Sequence, residues 1–418
     1  MNILVVGGGG REYAIIKKLS GSPRAGKLYA APGNGGIAGM AECVPLKATN
    51  LDGICAWAEE NKPDLVVVAP DDPLAAGLVD RLEEIGITAF GPHANAAIVE
   101  SSKAFSKGFM EKYGIPTASC RVFDDAEKAK QYVLEKGAPI VIKADGLALG
   151  KGVTVAATIE QALDAVESMM KAKAFGSSGE RVVIEECLFG PEVSVLAFTD
   201  GENVLPMVSA QDHKRAFDGD EGPNTGGMGA FSPSRYYTPE IAKICMERIF
   251  LPTVKGLKAE GRTFKGVIYF GLMLTADGPK VIEYNARFGD PETQCVLPRL
   301  ESDLLEIFLA CIKGGLDKID IRWSDKACAC VVLASGGYPT SYKSGYEIFG
   351  IDEAEAEGAV VCHAGTKLAD GKYLTAGGRV LGVTAMGDDL KDAVANAYSA
   401  AKHISFENMH FRTDIGVK

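Results

Sequence analysis

The chain has no apolar run near the roughly 18 residues that a membrane-spanning helix needs. No basic segment precedes its first apolar stretch, Ile3-Leu4-Val5-Val6. A membrane span and a secretory leader are therefore not expected, and a cytoplasmic location is. No CxxC pair occurs among its 10 cysteines, which are scattered through apolar contexts such as Ala310-Cys311-Ile312. Reduced, buried thiols are expected rather than disulfides or metal ligands. There is no surplus of positive charge either. The formal net charge is −11, which argues against nucleic acid as a main partner, so a phosphate ligand must be caught by local lysines, arginines and backbone amides. Two nucleotide signatures are also missing. GxxxxGK[ST] fails because Gly146-Leu147-Ala148-Leu149-Gly150-Lys151 has the wrong spacing and no hydroxyl follows. GxGxxG anchored at Gly7 and Gly9 needs Gly or Ala at position 12, where Glu12 stands. A P-loop enzyme and a dinucleotide-dependent dehydrogenase are thereby set aside. Repeats and low-complexity linkers are absent as well.

What is present is an ordinary globular composition, 47% hydrophobic and 24% charged, over 418 residues. That length is too great for a single core, so several domains are expected. Residues 1–102 alternate apolar strands (2–6, 28–31, 65–69, 88–90) with helices, which predicts a doubly wound parallel sheet whose strand ends line a crevice. The loop Gly7-Gly8-Gly9-Gly10-Arg11-Glu12 opens the first helix. Its amides and Arg11 suit a monophosphate. From Ser101 the texture changes: a capping serine and an apolar face at helical spacing predict a helix carrying Lys103.

A hairpin follows. Two β-branched runs, 140–142 and 153–155, flank a loop with Lys143 at its start and Gly146, Gly150, Lys151 and Gly152 within it. Glycines there let amides approach an anion, and the lysines supply point charges for phosphate oxygens. Residues 123–191 read as a small α+β unit inserted in a larger domain made of 103–122 and 192–326. Within that domain, alternation along 280–287 puts Glu283, Asn285 and Arg287 on one face. A carboxylate and an amide oxygen suit Mg²⁺ shared with substrate phosphates, and the guanidinium suits a charged transition state. The block 327–418 shows short strands (327–334, 360–363, 378–386) and a closing helix (390–403). It has no catalytic cluster, and His363 and His403 read as structural.

Taken together and in order, these residues resemble an ATP-grasp ligase, and more narrowly the glycinamide ribonucleotide synthetase family. The matching stretches are Gly-Gly-Arg-Glu at 9–12, Ala-Pro-Gly-Asn at 31–34 and Lys-Ala-Asp-Gly-Leu-Ala at 143–148. They continue with Gln-Asp-His-Lys-Arg at 211–215, Gly-Pro-Asn-Thr-Gly-Gly-Met-Gly-Ala at 222–230 and Arg-Phe-Gly-Asp-Pro-Glu-Thr-Gln at 287–294. His-Ala-Gly-Thr-Lys at 363–367 and Gly-Gly-Arg-Val-Leu at 377–381 carry the likeness into the last block. The resemblance implies an α/β and α+β multidomain chain: a Rossmann-like domain (1–102), an ATP-grasp central domain (103–122 and 192–326), its lid (123–191) and a small C-terminal α+β domain (327–418).

It further implies ATP-dependent joining of glycine to 5-phosphoribosylamine through glycyl phosphate, with Mg²⁺ or Mn²⁺, in a monomer. Lys103, Lys143 and the loop with Gly146, Gly150, Lys151 and Gly152 would contact ATP phosphates. Glu185, Glu186 and Leu188 would border adenine, and Glu192 would take the ribose hydroxyls. Glu283 and Asn285 would hold the metal. Arg287 would steady the acyl phosphate, with Asp212 and Lys214 near glycine or the amine. Gly9, Gly10, Arg11, Glu12, Gly226, Gly227 and Asp290 would bind substrate. Three departures stand out. Tyr13 replaces a family histidine, Asp71 replaces a glutamate, and the strand 267–273 lacks the acid that many ATP-grasp enzymes carry there. A sibling ligase with other substrates and a non-catalytic nucleotide sensor are the competing readings.

Overall fold

The computed structural model describes residues 1–148, 152–172 and 176–417. Gly150 and Lys151 of the expected phosphate loop lie outside the described residues. The first strands are β1 (Ile3–Gly7), β2 (Leu28–Pro32), β3 (Glu42–Cys43), β4 (Leu65–Val68) and β5 (Ala89–Phe90). They form a parallel sheet in the order β3-β2-β1-β4-β5. Every residue of β1 and β4 is buried, as expected when helices cover both faces. Order reverses between β1 and β4, so the crevice for ligands opens beyond Gly7 and Val68. One apolar core continues from Leu4, Val6 and Val66 into Ile268 and Phe270, and a second runs from Ile3 and Val5 to Leu196, Phe198 and Phe308. The parallel sheet is thus fused to the middle of the chain rather than hinged on it.

Strands β6 (Cys120–Phe123), β7 (Ile140–Ala144), β8 (Val153–Ala156) and β9 (Val182–Glu186) make an antiparallel sheet in the order β6-β9-β7-β8. The predicted hairpin is β7 paired with β8. This unit has its own small core, built from residues such as Val133, Ile142, Val166 and Ile184. Its first strand starts at Cys120, ahead of the boundary expected at 123, because Cys120–Phe123 pairs with β9.

Next come β10 (Glu192–Thr199), β11 (Val204–Pro206), β12 (Gln211–Asp212), the hairpin β13 (Arg215–Phe217) and β14 (Glu221–Asn224), and β15 (Gly229–Ser232). β16 (Gly266–Thr275) and β17 (Gly278–Asn285) complete a sheet ordered β11-β10-β16-β17. The last strands are β18 (Ala327–Ser335), β19 (Val360–His363), the hairpin β20 (Thr366–Ala369) and β21 (Lys372–Thr375), β22 (Arg379–Gly387) and β23 (Met409–His410). Their sheet runs β12-β15-β18-β22-β19, with β23 also on β18. This sheet crosses the expected boundary at 327, because Gly229–Ser232 pairs with Cys328–Val331. An open edge along β18 would be an aggregation template, and β15 covers it. The loops at 211–229 are therefore tied to the last sheet, a point that matters at the site.

Candidate active site

A cluster of buried charge forms where the helix Lys103–Lys112 meets β7, β9 and β17. Ser102 caps that helix, its Oγ accepting from Phe105 N–H at 3.1 Å. Asp145, just past β7, accepts from Ala104 N–H at 2.7 Å and from Ser102 Oγ at 3.0 Å, and its other oxygen pairs with Arg181. The start of the helix is thus fixed to the lid sheet. Lys103 Nζ donates to Gly146 O at 3.0 Å, and burial lowers its pKa. Lys143 lies buried, 3.1 Å from Glu185 Oε1 and donating to Ile282 O at 3.0 Å. Lys107 takes the other oxygen of Glu185 at 2.8 Å. Two buried lysines therefore share one buried carboxylate, an arrangement short of negative charge that phosphate can supply. Glu186 is exposed and Leu188 half-buried just beyond β9, at the rim of this space.

The acidic pair sits on β17. Glu283 is 3.8 Å from Lys214 Nζ, which is itself 3.2 Å from Glu192 Oε2. Burial works against the Glu283 anion, yet Lys214, Lys143, Lys103 and Arg287 hold its pKa low. Opposite Glu283 on β16 stands Gly271, and opposite Asn285 stands Tyr269. A Cβ at Gly271 would come 3.2 Å from Glu283 Cγ, which places the missing acid of the sequence at this glycine. Asp212 is pushed up to about 7 by burial, with Glu292, Glu192 and Glu283 adding to the effect and Lys214 opposing it. Lys214 is raised well above its ordinary value, chiefly by Glu192. Behind them, Ser194 Oγ, Tyr269 OH and Glu292 Oε1 form a buried triangle of 2.8, 3.0 and 3.0 Å.

Arg287 joins this end to the crevice of the parallel sheet. Its Nη2 donates to Asn285 Oδ1 at 3.3 Å and pairs with Glu100 Oε1 at 2.9 Å, and Nη1 donates to Phe288 O at 3.1 Å. Its buried Nε has no protein partner among the described residues. Asp71, at the end of β4, is pushed up by burial but held below its ordinary range by Arg287 and Arg11.

Arg11, expected to offer a fork to phosphate, has two of its three nitrogens engaged within the protein. Arg11 Nε pairs with Glu12 Oε1 at 2.6 Å, and Nη1 donates to Phe288 O at 3.3 Å. Glu12 Oε2 also accepts the Gly9 N–H at 2.6 Å. Both side chains are engaged in shaping the loop, because an N3 glutamate reaching back to the cap satisfies an orphan amide. Gly226 and Gly227 behave similarly. Gly226 N–H donates to Tyr338 OH at 3.1 Å, Gly227 N–H donates to Thr225 Oγ1 at 2.9 Å, and Gly226 O accepts from Arg379 at 2.9 Å. These glycines build the wall; their amides are not open to substrate. Asp290 remains, paired with Arg379 at 3.1 Å and held low by Arg379 and Arg11 against burial.

The structure thus links Lys103, Lys143, Glu185, Glu192, Asp212, Lys214, Glu283, Asn285, Arg287 and Asp290 in one network of charge and hydrogen-bond contacts. Sequence reasoning missed Glu100, Lys107, Glu292 and Arg379. Glu292 and Arg379 lie inside quoted motifs, so position alone could have flagged both. His363 is structural, stacked on Tyr13 at 5.6 Å with Nδ1 3.0 Å from Thr366 Oγ1. His403 is exposed and pairs with Glu357 at 2.7 Å.

A fused parallel sheet, a separately cored antiparallel lid whose Lys143 reaches the β17 sheet, and an acid–amide pair on that strand define an ATP-grasp ligase. Models of the phosphoribosylglycinamide synthetase N domain, ATP-grasp (A) domain and C domain match residues 1–100, 101–293 and 328–418. The chain belongs to the phosphoribosylglycinamide synthetase family. It is 48% identical over 415 residues to a phosphoribosylamine–glycine ligase of Caldanaerobacter subterraneus subsp. tengcongensis, covering 99% of each chain. It is 49% identical over 421 residues to one of Vibrio vulnificus, covering 100% of this chain and 98% of that one. The crystal structure of a phosphoribosylamine–glycine ligase from Thermotoga maritima superposes with a TM-score of 0.87 at 32% identity, covering 99% of this chain and 100% of that one. A biotin carboxylase domain from Hydrogenobacter thermophilus, solved with MgADP, shares the fold at a TM-score of 0.73 and 19% identity, covering 98% of this chain and 91% of that one.

Proposed function

We propose that the chain joins glycine to 5-phosphoribosylamine at the expense of ATP, giving glycinamide ribonucleotide, ADP and phosphate. The observation that carries this reading is the linked set of charged side chains from Lys103 and Lys143 through Glu283 and Arg287 to Asp290, on a chain of this family. A carboxylate is a poor electrophile. Transfer of the γ-phosphoryl group to a glycine carboxylate oxygen, with ADP leaving, gives glycyl phosphate. The amine nitrogen of phosphoribosylamine then attacks the acyl carbon, the acyl C–O bond breaks, and phosphate departs as the nitrogen loses a proton. The amine is already nucleophilic, so holding it in place does most of the work.

Lys103 and Lys143 would bind the ATP phosphates, the shared Glu185 carboxylate leaving a positive surplus for them. Glu283 and Asn285 fit Mg²⁺ or Mn²⁺ as oxygen donors. Glu283 is held ionised, and among the described residues no group of three or more His, Cys, Asp or Glu forms an all-protein cage. Phosphate oxygens and water would complete the shell, and the ion would neutralise charge on the transferring phosphoryl group. Arg287, with its unpartnered Nε, would stabilise the charge that builds on that group. Asp212 and Lys214 offer glycine a carboxylate and an ammonium, one for each of its ends.

The test is phosphate release with ATP and Mg²⁺, adding glycine and freshly made phosphoribosylamine singly and together. Release that needs both, with glycinamide ribonucleotide seen by mass, is the expected result. Release with another carboxylate and none with glycine would overturn the assignment in favour of a sibling ligase. ATP binding without turnover would mark a sensor.

A further inference from the structure

The C-terminal sheet reaches into the amine-substrate end of the crevice through one side chain. Arg379, the first residue of β22, donates through Nη1 to Gly226 O and to Asp290 O, each at 2.9 Å, while Nη2 pairs with Asp290 Oδ2 at 3.1 Å. The other carboxylate oxygen, Oδ1, accepts from Gln294 Nε2 at 2.8 Å. Gln294 is buried against Gly10, where a Cβ would come within 2.6 Å of its amide nitrogen. Asp290 is therefore gripped on both oxygens and on its backbone, and it cannot rotate away. Across the gap, a Cβ at Gly9 would stand 3.6 Å from Asp290 Oδ2, so the carboxylate borders the glycine loop at the end of β1. An ionised carboxylate accepts only, so its remaining lone pairs facing the glycine loop suit a ligand's O–H or N–H donors. A sugar presents two of them side by side.

We propose that Arg379 is a positioning residue for the amine substrate: by fixing Asp290 and the Gly226–Gly227 wall, it sets affinity for the pentose of phosphoribosylamine. This rests on the function proposed above and adds a role for the block 327–418, none of whose other residues has been placed at the site. It also gives a reason for the pairing of β15 with β18. That pairing holds the 226–227 loop at the distance Arg379 spans, and Gly226 lets the guanidinium lie flat, since a Cβ there would meet Arg379 Cζ at 3.0 Å.

The experiment is steady-state kinetics of wild type, Arg379→Ala, Arg379→Lys, Asp290→Asn and the Asp290→Asn/Arg379→Ala double variant, each substrate varied in turn. Arg379→Ala should raise KM for phosphoribosylamine at least tenfold, with KM for ATP and glycine within twofold. Lysine should restore part of the loss, since it keeps the charge but not the fork. The double variant should be no worse than the more impaired single variant, because both act through one contact. Additive losses, an equal rise in KM for ATP or glycine, or an unchanged KM would each overturn the proposal. If Arg379→Ala does not fold, Arg379→Lys decides alone: a wild-type KM refutes the inference. A wild type that ignores phosphoribosylamine would instead refute the function on which it rests.

Discussion

Replacing Glu100 by glutamine tests whether Arg287 must be held in place to work. Glu100 is buried near the C-terminal end of the helix Ala94–Ser101, in the N-terminal third of the chain. One carboxylate oxygen pairs with Arg287 Nη2 at 2.9 Å, and the other accepts the Ala286 N–H at 2.6 Å. Glutamine keeps the volume and can still accept from Ala286, so the change removes the charge-assisted bond and little else. Such a bond contributes about 1.5–3 kcal/mol. Asp71 also lies near enough to act on Arg287, so the lower half of that range is the better guide. At about 1.4 kcal/mol per tenfold, we expect kcat to fall roughly 10- to 40-fold, with KM for ATP within twofold. ADP release and a thermal melt would be recorded on the same preparation. The wild type supplies its own control. Burial raises the Glu100 pKa and Arg287 pulls it back only in part. The ionised form is therefore lost as pH falls through that raised value, and wild-type kcat should fall with it. Glu100→Gln should lack this limb. A variant with normal kcat and only a lower melting temperature would make Glu100 a structural residue and refute the argument.

The KM for glycine should depend on pH. Asp212, pushed up to about 7 by burial, is neutral below that value and cannot pair with the glycine ammonium, so KM should fall as pH rises through about 7. An Asp212→Asn enzyme that keeps the same profile would rule this out. Arg412, fully buried, pairs with Asp414 at 2.7 Å and Asp220 at 2.9 Å. Arg412→Ala should cost about 3–5 kcal/mol in urea unfolding. Burial pushes Asp414 up, but Arg412 and the Gly219 N–H hold it far below its ordinary value. Its stabilisation is present above the unfolded value of about 3.9 and is lost as pH falls further, so acid unfolding should begin earlier in Asp414→Asn. Gly226→Ala should displace the Arg379 guanidinium and raise KM for phosphoribosylamine while leaving that for ATP unchanged, a shift the kinetics above would detect.

Much of the architecture was legible because the signals were local. Continuous apolar strands between helices gave the parallel sheet, and two β-branched runs around a glycine loop gave the β7–β8 hairpin. Alternation along β17 put Glu283 and Asn285 on one side. What was not legible were partners distant in sequence. Nothing local announces that Phe288 O engages Arg11, that Tyr338 and Arg379 bond Gly226, or that residues 229–232 pair with a strand near 330. Glu100 was invisible for a related reason: its meaning lies in Arg287, 187 positions away in the sequence, and a lone glutamate on a helix has no signature.

The charge distribution shows why these distant contacts are needed. A chain with a net charge of −11 does not draw in a triphosphate by its overall field, so attraction must be local. Yet isolated buried cations would be costly, which is why each is given a partial partner: Lys107 and Lys143 share Glu185, Lys214 leans on Glu192, and Arg287 on Glu100. The partial partners come from different parts of the chain: the lid for the first pair, the central sheet for the second, the N-terminal third for the third. Held this way, the cations are ready before any ligand arrives, and an incoming anion finds its donors already oriented. The same construction appears with the sign reversed at Asp290, an anion held by Arg379 from the last sheet. Pre-oriented cations at one end and a pre-oriented anion at the other are thus supplied by separate layers of the fold.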